Sequence, residues 1–141
     1  MSFKPKSEWI AFTPTGTFNT NCTYTGRYMR IGDSLRMKVQ IAFSGATNST
    51  SCSINFPTGL VVDTSKLIGS EIGRGWLNQS GGLVYDLIAT YNTSSVFLYA
   101  ILSSSTYVSF GGAQRMTEAL PNTIANSDVI EIDVTVPIIG W

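Results

Sequence analysis

The sequence predicts an all-β protein, an antiparallel β-sandwich of jelly-roll-like type with about eight strands, and three observations carry that expectation. Between Leu35 and Phe43 the apolar residues Leu35, Met37, Val39, Ile41 and Phe43 alternate without a break with Arg36, Lys38, Gln40 and Ala42. Near the end, Ile130, Ile132, Val134 and Val136 alternate in the same way with Val129, Glu131, Asp133 and Thr135. Successive side chains of a strand point to opposite faces, so each stretch commits one face to a core and the other to water or a partner. Finally, clusters of Gly, Pro, Asn and Ser punctuate the chain at short intervals and leave no helix of useful length.

Taken in order, residues 1–8 read as an N-terminal arm or linker to a single domain within the 141 residues. Trp9 to Thr13 is a short first strand, ended by Pro14-Thr15-Gly16 because proline cannot donate to a ladder. Tyr24 to Ile31 and Leu35 to Phe43 form a hairpin about Gly32-Asp33-Ser34, glycine tolerating positive φ and aspartate bonding its own backbone. A hairpin alone is marginally stable, so this one must pack on further sheet. After a polar connection at residues 44–50, Ser51 to Phe56 is a β segment with Cys52, Ile54 and Phe56 on one face, closed by Pro57-Thr58-Gly59. Leu60 to Ile68 reads as a loop with a small turn at Asp63-Thr64-Ser65.

In the second half, Gly69 to Asn78 is a glycine-weakened strand, bent or bulged, with Ile72, Arg74 and Trp76 on one parity. Leu83 to Ala89 is a further strand, Asn92 to Ser95 a turn, and Val96 to Leu102 an apolar run buried on both faces or at a subunit contact. Ser103 to Thr106 turns the chain into a short strand at Tyr107 to Phe110. Residues 111–127 form the longest irregular stretch, with a single helical turn expected at Gln114 to Ala119. Asp128 to Pro137 closes the series.

Composition excludes several kinds of function. Nine basic and nine acidic residues give zero formal net charge, and charged residues make up 13% of the chain. Nucleic-acid binding needs clustered Lys and Arg, so it is set aside. No apolar run approaches the ~20 residues of a membrane span, and MSFKPKSEW lacks the apolar stretch of a secretory signal, so a soluble chain without membrane insertion is expected. Cys22 and Cys52 are too few for a disulfide framework and read as two reduced thiols in or beside strands, although an oxidising compartment would let them pair.

The absence of histidine removes Ser-His-Asp and Cys-His catalysis and the commonest metal ligand together. A glycosidase needs only two carboxylates across a cleft, but the acids here are scattered as on a solvated surface. Asp33 is expected to serve its turn, and Asp86 and Asp133, inside strands, to face outward and discourage edge pairing. Asp63-Thr64-Ser65 and Asn126-Ser127-Asp128 offer oxygens without the spacing of a calcium loop. No catalytic residue, metal or cofactor is therefore expected.

Surface recognition remains. Trp9, Trp76, Tyr85, Tyr91, Tyr99 and Tyr107, amid Asn, Ser and Thr, are materials of a sugar site, in which an aromatic face stacks on a pyranose and small polar groups read its hydroxyls. The competing reading places most of these aromatics in the core or a subunit contact. Trp76 and Tyr91, adjoined by glycines or loop residues, are the candidates for exposure. With Asn78 and Asn92 they make up the candidate ligand-binding set.

The opening WIAFTPT, the motif Tyr28-Met29-Arg30-Ile31-Gly32-Asp33-Ser34-Leu35, the phrase FPTGLVVDTSKL and the terminal VPIIGW together resemble small β-sandwich domains of bacteriophage virion proteins, mostly at the tips of tail fibres and tailspikes. The resemblance is spread over the whole length, while residues 69–127 match nothing in it. It implies a virion structural or receptor-binding role, with particle assembly in the host cytoplasm. It also implies a homotrimer, contact with other virion proteins, and attachment to a bacterial cell-surface glycan. No fixed catalytic residues come with it. A carbohydrate-binding module of a secreted enzyme is the alternative reading, and a fragment of a capsule-degrading tailspike a further one.

Overall fold

The two strongly alternating stretches lie side by side in the middle of one antiparallel sheet. The computed structural model describes residues 8–49, 51–103, 108–109 and 115–141. Its strands are β1 (Ile10–Phe12), β2 (Cys22–Ile31), β3 (Ser34–Phe43), β4 (Ser53–Asn55), β5 (Glu71–Asn78), β6 (Val84–Asn92), β7 (Ser95–Ala100), β8 (Leu102–Ser103), β9 (Val108–Ser109) and β10 (Val129–Pro137). Eight of them form a single sheet in the order β1-β2-β3-β10-β5-β6-β7-β4, and β8 pairs with β9 separately. Among the described residues the only helical element is a 3-10 turn at Thr64–Lys66, capped by the Asp63 carboxylate. The predicted all-β, antiparallel, eight-stranded architecture is thus what the chain adopts.

Pairing of β3 with β10 sets the core. Leu35 lies opposite Val136, Met37 opposite Val134, Val39 opposite Ile132 and Ile41 opposite Ile130, and all eight side chains are buried. Burying an aliphatic side chain of this size contributes about 1.5–3 kcal/mol, so a strand that presented its polar parity inward would forfeit most of that gain. Leu77 of β5, Leu87 and Ala89 of β6, Val96 and Leu98 of β7 and Ile54 of β4 join the same cluster.

The sheet curls until its two ends meet. Beyond β1 the chain bridges β4 at Gly16 and Ile54, with the Thr17 N–H donating to the Ser53 carbonyl at 3.0 Å and the Asn55 N–H to the Thr15 carbonyl at 2.9 Å. Edge groups that would template pairing with another chain are satisfied internally along this seam. The chain is therefore one continuous ladder curled over its own core.

Four local readings are refined by the structure. A register shift between Glu71 and Gly73 confirms the bulge in β5, and the extra residue sends Ile72 into the core instead of out with Arg74 and Trp76. An added Cβ at Gly75 would run into the Glu131 carbonyl oxygen, so glycine lets β5 approach β10 closely there. The helical turn expected at Gln114 to Ala119 does not form over its described residues 115–119, because the backbone of Arg115 and Met116 pairs instead with β7 and with Cys52. The apolar run from Val96 is buried on one face, while on the other Phe97 is half-buried beneath the Arg115 guanidinium, 3.3 Å from the ring centroid. The turn read at 103–106 and most of the strand read at 107–110, Tyr107 included, lie outside the described residues apart from Ser103, Val108 and Ser109.

Turn chemistry follows the expectations closely. Gly32 takes a φ of 61° in the β2–β3 turn, and Asp33 beside it accepts a hydrogen bond from Lys66 Nζ at 3.0 Å. That lysine holds the Asp33 carboxyl below the usual range. The β6–β7 turn places Thr93 and Ser94 both at positive φ, the geometry that matches a two-residue hairpin to the strand twist. Cys22 and Cys52 are free thiols, and burial pushes both up from their ordinary pKa.

Asp128, read as a weak metal candidate, anchors the loop that leads into β10. It is 1% exposed, and its oxygens accept from the Ser80 N–H at 3.0 Å, Gln79 Nε2 at 3.0 Å and the Ala125 N–H at 2.9 Å. Gln79 in turn accepts from Asn122 Nδ2 at 2.9 Å. Both carboxylate oxygens are thus engaged by N–H donors. Asp128→Ala leaves those donors without their acceptor, and an unmade buried hydrogen bond costs about 1–3 kcal/mol. We expect a loss of at least that size in urea denaturation; an unchanged midpoint and slope would contradict the anchoring role.

Candidate functional site

Inward and outward residues are fixed together by the pleat, so the core rows dictate what the opposite face displays. Across five neighbouring strands, Gly26, Val39, Ile132, Gly75 and Leu87 form one transverse inward row. On either side of it run two outward rows. One consists of Thr25, Gln40, Glu131, Trp76 and Asp86; the other of Arg27, Lys38, Asp133, Arg74 and Ile88. These rows, Ile88 excepted, enclose with Trp9 from the segment before β1 a groove of about 840 Å³ on the outer face. That volume lies within the ~300–1,000 Å³ usual for small-molecule sites.

Two indoles stand in the groove and both are accessible, Trp9 at 38% and Trp76 at 47% exposure. Trp9 is steadied by the Arg36 guanidinium, 5.6 Å from its ring centroid. Arg36 is itself held by Asp133, through Nε at 3.1 Å and Nη2 at 2.7 Å, a two-pronged pairing that keeps the guanidinium firmly charged. Gln40 donates to Glu131 at 3.2 Å, and Arg74 to Glu71 at 2.8 Å. The groove lining carries three cations and three anions. An aromatic platform framed by fixed donors and acceptors suits a hydroxyl-rich ring better than an extended apolar ligand.

Of the four residues proposed from the sequence, the structure brings two near each other. Trp76 lines the groove, and Asn78, two residues on along β5, is exposed on the same face in the next row, opposite Val84 and Val129. Tyr91 and Asn92 lie elsewhere. Tyr91 is five residues past Asp86 along β6, a span of about 17 Å. It packs half-buried on the inner side, its ring 6.2 Å from that of Phe56. Asn92 is exposed beside the β6–β7 turn, where it accepts from the Thr93 hydroxyl at 2.6 Å. Tyr85 is likewise half-buried against the core, and Tyr99 is half-buried on β7.

Glu131, Asp86, Arg27, Lys38, Gln40 and Thr25 enter the groove although sequence reasoning did not assemble them. Their outward parity was readable, but their adjacency depends on β10 inserting between β3 and β5, which no local pattern encodes. Asp86 and Asp133 face outward as expected. Both sit on interior strands, however, so guarding an edge is not their role, and Asp133 is instead the partner of Arg36. Among the described residues no group of three acidic, Cys or His side chains is placed to hold a metal ion.

No protein-family model, no curated protein and no solved structure matches this chain.

Proposed function

We propose that this chain is a virion domain of a bacteriophage, of tail-fibre or receptor-binding type, that holds a bacterial cell-surface glycan in the groove on its outer face without transforming it. The single observation behind the binding role is the accessible indole of Trp76 in a groove of sugar-binding size, with carboxylates cross-strand on both sides. The virion assignment rests on the sequence resemblance.

A homotrimer is part of the same proposal, and contacts with other virion proteins follow from it. Support comes from the apolar residues gathered around the Gly32-Asp33 turn. Ile31, Val61 and Ile139 are 48%, 59% and 60% exposed, and the Ile139 N–H bonds the Val61 carbonyl while the Ile138 N–H bonds that of Asp33. A cluster of this kind at one end of a sheet is surface that a second copy would cover. The rival reading, a carbohydrate-binding module of a secreted enzyme, shares the groove and does not need that contact.

Two outcomes are expected. Trp76→Ala weakens binding to host cells or to a glycan array by about tenfold or more, as loss of a central aromatic anchor does, whereas a folded Tyr91→Ala variant binds normally. The reverse pattern would move the site to the β6–β7 end. Light scattering gives three times the chain mass, and a single-chain mass would favour the module.

A further inference from the structure

The groove is electrically polarised, and its polarity specifies the ligand more narrowly than its shape does. Arg27 and Lys38 lie directly opposite each other on β2 and β3. Like charges in that position repel, and a sheet gains nothing from placing them so. The nearest carboxylate to Lys38 is Asp133, at 4.0 Å, and both oxygens of Asp133 are already taken by Arg36. Arg27 has no side-chain partner among the described residues. Lys38 thus shares the single Asp133 carboxylate with Arg36 while Arg27 has none among the described residues, so this wall of the groove carries an excess of positive charge.

The other wall has the opposite character. Glu131 and Asp86 flank Trp76 across the strands, Glu131 receives only the neutral amide of Gln40, and Asp86 has no side-chain partner among the described residues. Arg74, the cation in the adjacent row, is drawn off by Glu71. From Lys38 on β3 to Trp76 on β5 the sheet crosses two strand spacings, roughly 9–10 Å.

Resting on the sugar-binding reading above, we infer that the groove takes an acidic saccharide: a ring stacks on Trp76 and donates hydroxyls or an amino group to Glu131 and Asp86, while an anionic substituent sits over Arg27 and Lys38. Carboxylates accept and cannot donate, so the Trp76 end selects donors; guanidinium and ammonium only donate, so the β2–β3 wall selects an acceptor with negative charge. The anion is a sugar carboxylate or a sugar phosphate, which present the same chemistry to this wall.

The test is a set of immobilised oligosaccharides in matched pairs, each uronate-, sialate- or phosphate-bearing member beside its neutral parent. These are probed with the full chain, with Arg27→Gln/Lys38→Gln, with Lys38→Arg and with Trp76→Ala. Expected is a preference of about tenfold or more for acidic members, weakened by salt, lost in the double Gln variant and retained in Lys38→Arg. The separate carboxylate and phosphate arms identify which anion is held. Trp76→Ala loses acidic and neutral members together. Equal binding of acidic and neutral members that still depends on Trp76 overturns the acidic ligand and leaves the sugar site standing. An acidic preference that survives in the double Gln variant places the anion elsewhere and also overturns the inference. Binding to no member of the set defeats both readings at once.

Discussion

The pairing of β3 with β10 is the constraint on which this structure depends. Each strand alternates over its whole length, and in the observed register the inward residues Leu35, Met37, Val39 and Ile41 each meet an inward apolar residue of β10. A slip by a single residue would turn Leu35, Met37, Val39 and Ile41 out to water and Arg36, Lys38 and Gln40 into the core, a cost no compensating contact could meet. With β10 on one edge of β3, its hairpin partner β2 occupies the other, and β5 lies along the remaining edge of β10. The central four strands are arranged around this one hydrophobic pairing. The same pairing fixes the groove, because Lys38, Gln40, Glu131 and Asp133 face outward for the reason that Val39 and Ile132 face inward.

Around this centre the fold is held by more specific devices. Residues 15–17 seal the curled sheet against β4, leaving neither end strand as a long open edge. Residues 115–128, leading into β10, would otherwise carry unpaired backbone over the core. Met116 enters that core, bonding Leu98 and Cys52, and Asp128 gathers the N–H groups of two separate turns. Glycine at position 75, beneath the Glu131 carbonyl, draws β5 toward β10 and brings Trp76 level with Glu131. Packing and site geometry are therefore coupled through one residue without a side chain.

Much of this was legible in the residues and the rest was not, for identifiable reasons. Strand positions and turns could be read because period-two alternation and the φ demands of Gly32-Asp33 are local properties. The bulge in β5 was legible as glycine weakness, yet its consequence for Ile72 was not, since a parity switch depends on which partner residue is skipped. Trp76 was found because it stands among glycines. Tyr91 was misjudged for exposure because its neighbours are turn residues, while its own ring lies on the inner parity against Phe56. The groove as a whole escaped detection because it is made by residues far apart in the chain, such as Lys38 and Asp133, and only the strand order brings them together.

The most direct measurement of the account is an amide and indole chemical-shift titration of the isotope-labelled chain with whichever glycan it binds. The account predicts that shifts concentrate on the indole N–H groups of Trp9 and Trp76 and on the backbone of Val39, Gly75, Glu131 and Ile132, at the middle of the outer face. Shifts confined to residues 91–95 or to the Ile31, Val61 and Ile139 end, with the groove silent, would contradict it.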